Sequence, residues 1–142
     1  MMIVLVVDDE VNIRKFAAAN LSRRGYKVVE AGDAEDGLER LRTHSAIFAN
    51  AGVLLLDIKL PGMSGWNLLD AMSKDNDVPK NIPVVIMTAS VMDANFNTAD
   101  YPMVVDVLVK PVSTDQLIRA IRKASGRMEN KETNYVENTG RR

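Results

Sequence analysis

Residues 3–10 read Ile3-Val4-Leu5-Val6-Val7-Asp8-Asp9-Glu10. Successive side chains of a strand point to opposite sides. Five aliphatic residues in a row therefore leave no wet face, and such a run fits a strand covered on both sides, as in a parallel sheet. Three acids then end the run at what would be the strand's carboxyl end. Further apolar runs lie at Val53–Leu56, Val84–Met87 and Val104–Val109, and a weaker one, Tyr26–Glu30, follows Gly25.

Helical spacing fills the intervals. Ile13, Phe16, Ala17 and Leu21 share one stripe, which Gly25 should end. Ala34, Gly37, Leu38 and Leu41 repeat the pattern behind Asp33, a natural N-cap. Leu68, Leu69 and Met72 follow Ser64. Leu117, Ile118, Ile121 and Ala124 follow Ser113-Thr114-Asp115-Gln116, a capping-box sequence, and Gly126 is expected to stop that helix. Val91–Asp100 carries Asn95, Asn97 and Thr98 before Pro102, so a short or irregular helix is expected there. Ser45–Gly52 either extends the second helix or forms a loop. Strand then helix, five times over, predicts an α/β fold with a mostly parallel sheet and helices on both faces.

Composition narrows the function. In 142 residues, 46% hydrophobic and 26% charged, there is room for one domain with a proper core. Eighteen basic residues against 19 acidic ones give a net charge of −1, which does not suggest a broad nucleic-acid face. The absence of cysteine excludes disulfides, thiolate metal sites and a cysteine nucleophile. A single histidine, His44, excludes multi-histidine metal sites and argues against a Ser-His-Asp triad. No apolar run is long enough to span a membrane, and the first residues lack an export signal, so a cytoplasmic location is expected.

In parallel α/β sheets, ligands bind beyond the carboxyl ends of the strands. Those ends carry Asp8-Asp9-Glu10, Asp57, Thr88-Ala89 and Lys110-Pro111. Two like charges about 4 Å apart repel by roughly 4 kcal/mol at an effective dielectric of about 20. Three clustered carboxylates, Asp8, Asp9 and Asp57, must then take up a proton or bind a cation. Lys110 offsets one charge, and one divalent ion would offset the rest. An all-oxygen ligand set selects a hard ion such as Mg²⁺. A carboxylate nucleophile, a metal, a hydroxyl and a lysine around one cavity suit phosphoryl transfer.

Val7-Asp8-Asp9-Glu10, Asp57-Ile58-Lys59-Leu60-Pro61-Gly62-Met63-Ser64-Gly65, Thr88-Ala89 and Lys110-Pro111 together resemble the receiver domain of bacterial two-component response regulators, over about residues 2–126. The resemblance implies a flavodoxin-like (βα)5 doubly wound parallel sheet with strand order 2-1-3-4-5. It implies a receiver domain over 1–126; residues 127–142, polar with only Met128, Tyr135 and Val136 clearly apolar, are expected to form a frayed helix end and a flexible tail. It implies that Asp57 accepts a phosphoryl group from a histidine kinase or histidine phosphotransfer protein, with slow autodephosphorylation and no classical enzyme activity. Mg²⁺ would be held by Asp9, Asp57 and the carbonyl of Lys59, with Asp8 acting through a metal-bound water. Thr88 would hydrogen-bond the phosphoryl group, Lys110 would pair with it, and the Lys110–Pro111 bond would be cis. Output through contacts with another protein is expected, as a stand-alone regulator or as the receiver portion of a longer one, with homodimerisation left open.

Taken singly, each motif has a plainer reading. Asp8-Asp9 could cap a helix, Asp57 with Pro61-Gly62 could be a turn with a surface acid, Thr88 could be an ordinary strand end and Lys110-Pro111 an ordinary turn. Their arrival together, each after its own strand, favours the functional reading. His44 is expected at an exposed helix end and Trp66 over nearby apolar surface. Val107 stands where many receivers carry an aromatic residue, and Val112 where many carry Phe. Both departures point to an altered output surface. Lys59 and Ser90 would flank the phosphoryl group and tune its lifetime. Two other classes compete. An Mg²⁺-dependent aspartyl-phosphate phosphohydrolase would want an acid two positions after Asp57, where Lys59 stands. A flavin or nucleotide binder would want a phosphate-cradling loop where Asp8-Asp9-Glu10 stand.

Overall fold

The computed structural model of the chain describes residues 2–90 and 100–138. Its elements are β1 (Ile3–Val7), α1 (Val11–Ser22), β2 (Lys27–Ala31), α2 (Ala34–Thr43), α3 (Ser45–Ala51), β3 (Gly52–Asp57), α4 (Gly65–Lys74), β4 (Val84–Thr88), β5 (Val104–Val109) and α5 (Thr114–Asn138). The strands form one parallel sheet in the order β2-β1-β3-β4-β5, the flavodoxin-like order expected from the sequence.

Alternate residues of the central strands feed two cores. Ile3, Leu5, Val7, Leu54, Leu56, Val84 and Ile86 face α2, α3 and α4 through Leu38, Leu41, Phe48, Leu68, Leu69 and Met72. Val4, Val6, Val53, Leu55, Val85 and Met87 face α1 and α5 through Ala17, Leu21, Leu117, Ile118, Ile121 and Ala124. This is why β1, β3 and β4 read as unbroken apolar runs. In β5 a bulge intervenes: Val84 pairs with Val104 but Val85 pairs with Asp106. The skipped residue reverses the alternation, so Val107 packs against the first core and Leu108 into the second.

The caps act as the sequence suggests. Asp33 accepts from the Asp36 N–H at 2.7 Å, and Ser64 from the Asn67 N–H at 3.2 Å. Ser113 and Gln116 form a reciprocal box, with bonds of 3.1 and 2.9 Å. Gly25 takes φ +88°, and its N–H and that of Tyr26 close back on Ser22 and Leu21, a Schellman ending to α1.

Two expectations need correcting. Ser45–Gly52 is neither an extension of α2 nor a loop: His44 breaks the helix, and a separate α3 follows that buries Phe48 completely. Gly126 does not stop α5, which runs on to Asn138. Gly126 lacks the positive φ of a helix-ending glycine, and the good helix formers Arg127, Met128 and Glu129 follow it. The expected helix over Val91–Asp100 falls, except for Asp100, outside the described residues. Among the described residues, no helix is long and apolar enough to cross a membrane.

Candidate functional site

Strand register assembles the site. Val7 pairs with Leu56, so the next residues, Asp8 and Asp57, leave the sheet side by side. Thr88 pairs with Val109, so Lys110 emerges beside Thr88, and its N–H donates to the Thr88 carbonyl at 2.7 Å. Lys110–Pro111 is cis. Residues as far apart as Asp8 and Lys110 thus meet at one sheet edge.

Lys110 is the hub. Its Nζ lies 2.8 Å from Asp8 Oδ2, 3.1 Å from Asp57 Oδ2 and 3.4 Å from Glu10 Oε1. Asp8 is fully buried and Asp57 nearly so. Burial pushes the Asp57 carboxyl above the usual carboxylate range, the Lys110 hydrogen bond pulls it back, and the Asp8 charge adds to the rise. Burial also works against the Lys110 ammonium, but the hydrogen bonds and charges of Asp8 and Asp57 outweigh it and hold Lys110 up at about 12.

The remaining bonds fix the loops. Asp8 Oδ1 accepts the Glu10 N–H at 2.9 Å, and Asp57 Oδ1 accepts the Lys59 N–H at 3.2 Å. Thr88 is buried, and its Oγ accepts the Ser90 N–H at 3.2 Å; a hydroxyl that accepts one bond still has a proton to donate. Gly65 lets the loop after Asp57 fold tightly. Its N–H donates to Ile58 O at 2.9 Å, and a Cβ there would lie 2.6 Å from Asp57 O.

Asp8, Asp9, Glu10 and Asp57 each bring a carboxylate oxygen within 4.8 Å of the others. One lysine cannot balance four acids. Asp8 Oδ2 is buried, and its one partner among the described residues is the Lys110 ammonium, 2.8 Å away. Asp9 and Glu10 lie exposed at the mouth. An acidic, all-oxygen pocket with one under-satisfied buried oxygen and an open mouth fits a hard, partly hydrated cation.

The structure thus brings together Asp8, Asp9, Asp57 and Lys110, with Thr88 at the adjoining strand end and Lys59 in the loop just after Asp57. Glu10 was not singled out from the sequence, although it completes the acidic triplet; only the structure shows it within reach of both Lys110 and the other carboxylates. His44 is half-buried rather than exposed, at the α2–α3 junction and away from the sheet's carboxyl edge. Trp66 stacks on Tyr101, with ring centroids 4.9 Å apart, and both rest against the first core.

Comparison with known proteins agrees with this arrangement. The response regulator receiver domain family matches residues 4–122, and the chain belongs to that family. It is a phosphoacceptor module of two-component phosphorelay signalling rather than a classical enzyme, and its acidic cluster is typical of the receiver metal site. The chain is 32% identical over 127 residues to a probable transcriptional regulator, ycf27, of Cyanophora paradoxa, covering 89% of this chain and 49% of that one. It is 35% identical over 119 residues to the Guillardia theta protein of the same name, covering 84% and 43%. The chain thus spans about half the length of these curated relatives. Among solved structures, a receiver domain protein from Clostridium thermocellum superposes with TM-score 0.77 at 26% identity, covering 91% of this chain and 98% of that one. The response regulator TrrA of Thermotoga maritima, solved in complex with Mg²⁺ and BeF, gives TM-score 0.71 at 27% identity, covering 87% and 99%.

Proposed function

We propose that Asp57 is the phosphoryl acceptor and that the pocket works with Mg²⁺. The observation that carries this reading is Lys110 Nζ poised between Asp8 and Asp57 beside a cluster of four carboxylates. Asp9, Asp57 and the Lys59 carbonyl would hold the ion, and Asp8 would reach it through a bound water. When bound, Mg²⁺ supplies positive charge against the phosphoryl oxygens. An Asp57 oxygen attacks phosphorus, and the P–N bond of a phosphohistidine breaks with its electron pair left on the imidazole. Lys110 moves from carboxylate pairing toward the arriving phosphoryl oxygens, and the Thr88 hydroxyl donates to one of them. Burial of Asp57 keeps the acyl phosphate away from bulk water, and Lys59 and Ser90 set its lifetime.

The donor is a histidine kinase or histidine phosphotransfer protein. The receiver domain occupies 1–126, with 127–142 outside it. Output runs through protein contacts, either by this chain alone or as the receiver portion of a longer regulator like the relatives described as probable transcriptional regulators. With a partly buried Val107 packed against the first core where many receivers carry an aromatic residue, the readout of phosphorylation is altered.

The test is incubation with a small acyl phosphate and Mg²⁺, followed by intact mass. The expected result is a gain of one phosphoryl group that does not occur when chelator replaces Mg²⁺ in the incubation, nor in Asp57→Asn. Repeated turnover of a phosphomonoester would instead favour a hydrolase.

A further inference from the structure

Arg14 lies on α1, outside the acidic cluster, yet it grips the backbone from which that cluster hangs. Its Nη1 donates to the Asp8 carbonyl at 2.7 Å. Its Nε donates to Glu30 Oε1 at 3.3 Å, and Glu30 also pairs with Lys15 at 3.1 Å. The Arg14 and Glu30 side chains are only 17% and 26% exposed, so solvent competes weakly for these bonds. The guanidinium packs under the turn after β2, where a methyl added at Gly32 would touch Nη1 at 3.5 Å. On the other side of Asp8, its N–H donates to Ala31 O at 3.1 Å. The main chain of Asp8 is therefore held at both ends, by β2 and by a guanidinium that β2 itself orients.

The Asp8 carbonyl and the Asp9 N–H belong to one rigid peptide plane. Fixing the carbonyl fixes the direction in which Asp9 leaves the strand. Asp9 is exposed, so its carboxylate draws its aim from the backbone rather than from surrounding packing. We propose that Arg14, oriented by Glu30, is the positioning residue of the cation pocket: it aims Asp9 and preorganises the site for Mg²⁺. This rests on the Mg²⁺-dependent reading above. Lysine cannot replace it, because a single ammonium lacks the planar fork that binds Glu30 and the Asp8 carbonyl together.

The experiment is calorimetric titration of the purified chain with MgCl2, alongside thermal unfolding without metal. Uptake of phosphoryl from the acyl phosphate is then followed as a function of Mg²⁺ concentration. In Arg14→Ala, Mg²⁺ affinity should fall about tenfold or more, the usual scale for losing a group that orients a ligand. Uptake should be restored at saturating Mg²⁺, a change in half-saturation rather than in plateau. Arg14→Lys should not rescue, and Glu30→Gln should reproduce a smaller loss. Mg²⁺ affinity within twofold of wild type in folded Arg14→Ala overturns the inference. Should that variant fail to fold, wild-type affinity in both Arg14→Lys and Glu30→Gln overturns it. Failure of the wild-type chain itself to bind Mg²⁺ would instead sink the functional reading on which the inference stands.

Discussion

Lys110 shows how much depends on one side chain. It is 10% exposed and contacts two buried carboxylates. Removing it leaves Asp8 and Asp57 facing each other without a counter-charge, and breaking a buried pair in this way costs about 3 kcal/mol. Lys110→Ala should lower stability by that order in chelator, as read by urea unfolding, with part of the loss recovered in Mg²⁺. The pH dependence has a definite sign. The Lys110 ammonium is raised to about 12 in the folded chain from 10.5, so its contribution is complete below the unfolded value and is lost as pH climbs through the folded one. Gly65 is a second sensitive residue. A Cβ there would meet Asp57 O at 2.6 Å and Ile58 Cα at 2.9 Å, both backbone atoms that no rotamer change can move. Gly65→Ala should cost about 1–3 kcal/mol and should slow phosphoryl uptake, because relief of the clash displaces the carbonyl of Asp57.

At the scale of elements, α5 makes the clearest prediction. A helix that passes through glycine gains about 1 kcal/mol when that glycine becomes alanine, whereas a glycine in a left-handed stop loses stability on the same change. Gly126 has no atom within 4 Å of where a Cβ would sit. Gly126→Ala should therefore raise the unfolding free energy by about 1 kcal/mol; a loss would mean that the helix ends there after all. The loop after α4 depends on Asp75. Its carboxylate accepts the Asp77 N–H at 2.9 Å and pairs with Arg42 at 2.6 Å, and these, the backbone bond first, hold it below the usual carboxylate range. A depressed carboxyl contributes stability that is present above its unfolded pKa and lost as pH falls through the folded one. Asp75→Asn should be less stable than wild type at neutral pH, and urea titrations should show the difference closing at pH values below about 4, the unfolded Asp value.

Over the whole molecule, the sheet behaves as a device for collecting charge. Four acids and one lysine from three strand ends leave the pocket strongly negative, so a bound cation relieves repulsion that folding imposes. Anything that binds the folded chain alone stabilises it by mass action, by about 2.7 kcal/mol at a hundred times its Kd. Mg²⁺ should raise the melting temperature in a concentration-dependent way, and the rise should shrink sharply in Asp9→Asn, which keeps the buried core untouched.

The sequence alone determined most of the fold, because Val4 and its neighbours leave no polar face and Asp33, Ser64 and Ser113 cap the helices they precede through local bonds. The acidic pocket was legible for the same reason: in a parallel sheet, every residue just after a strand must arrive at one edge. Glu10 could not be separated from a solvated neighbour, since its reach to Lys110 is a matter of distance across a hundred positions. Nor could Arg14, whose partners lie on a different element and on the main chain. The separate α3 around Phe48 and the passage of α5 through Gly126 were misread, because a glycine or a histidine carries no local mark of whether it ends a helix or is carried through one. Local chemistry is written residue by residue and can be read that way. The ion pairs, the aim of a carboxylate and the bulge that turns Val107 toward the first core arise only when distant segments share a volume, and tertiary packing alone decided them.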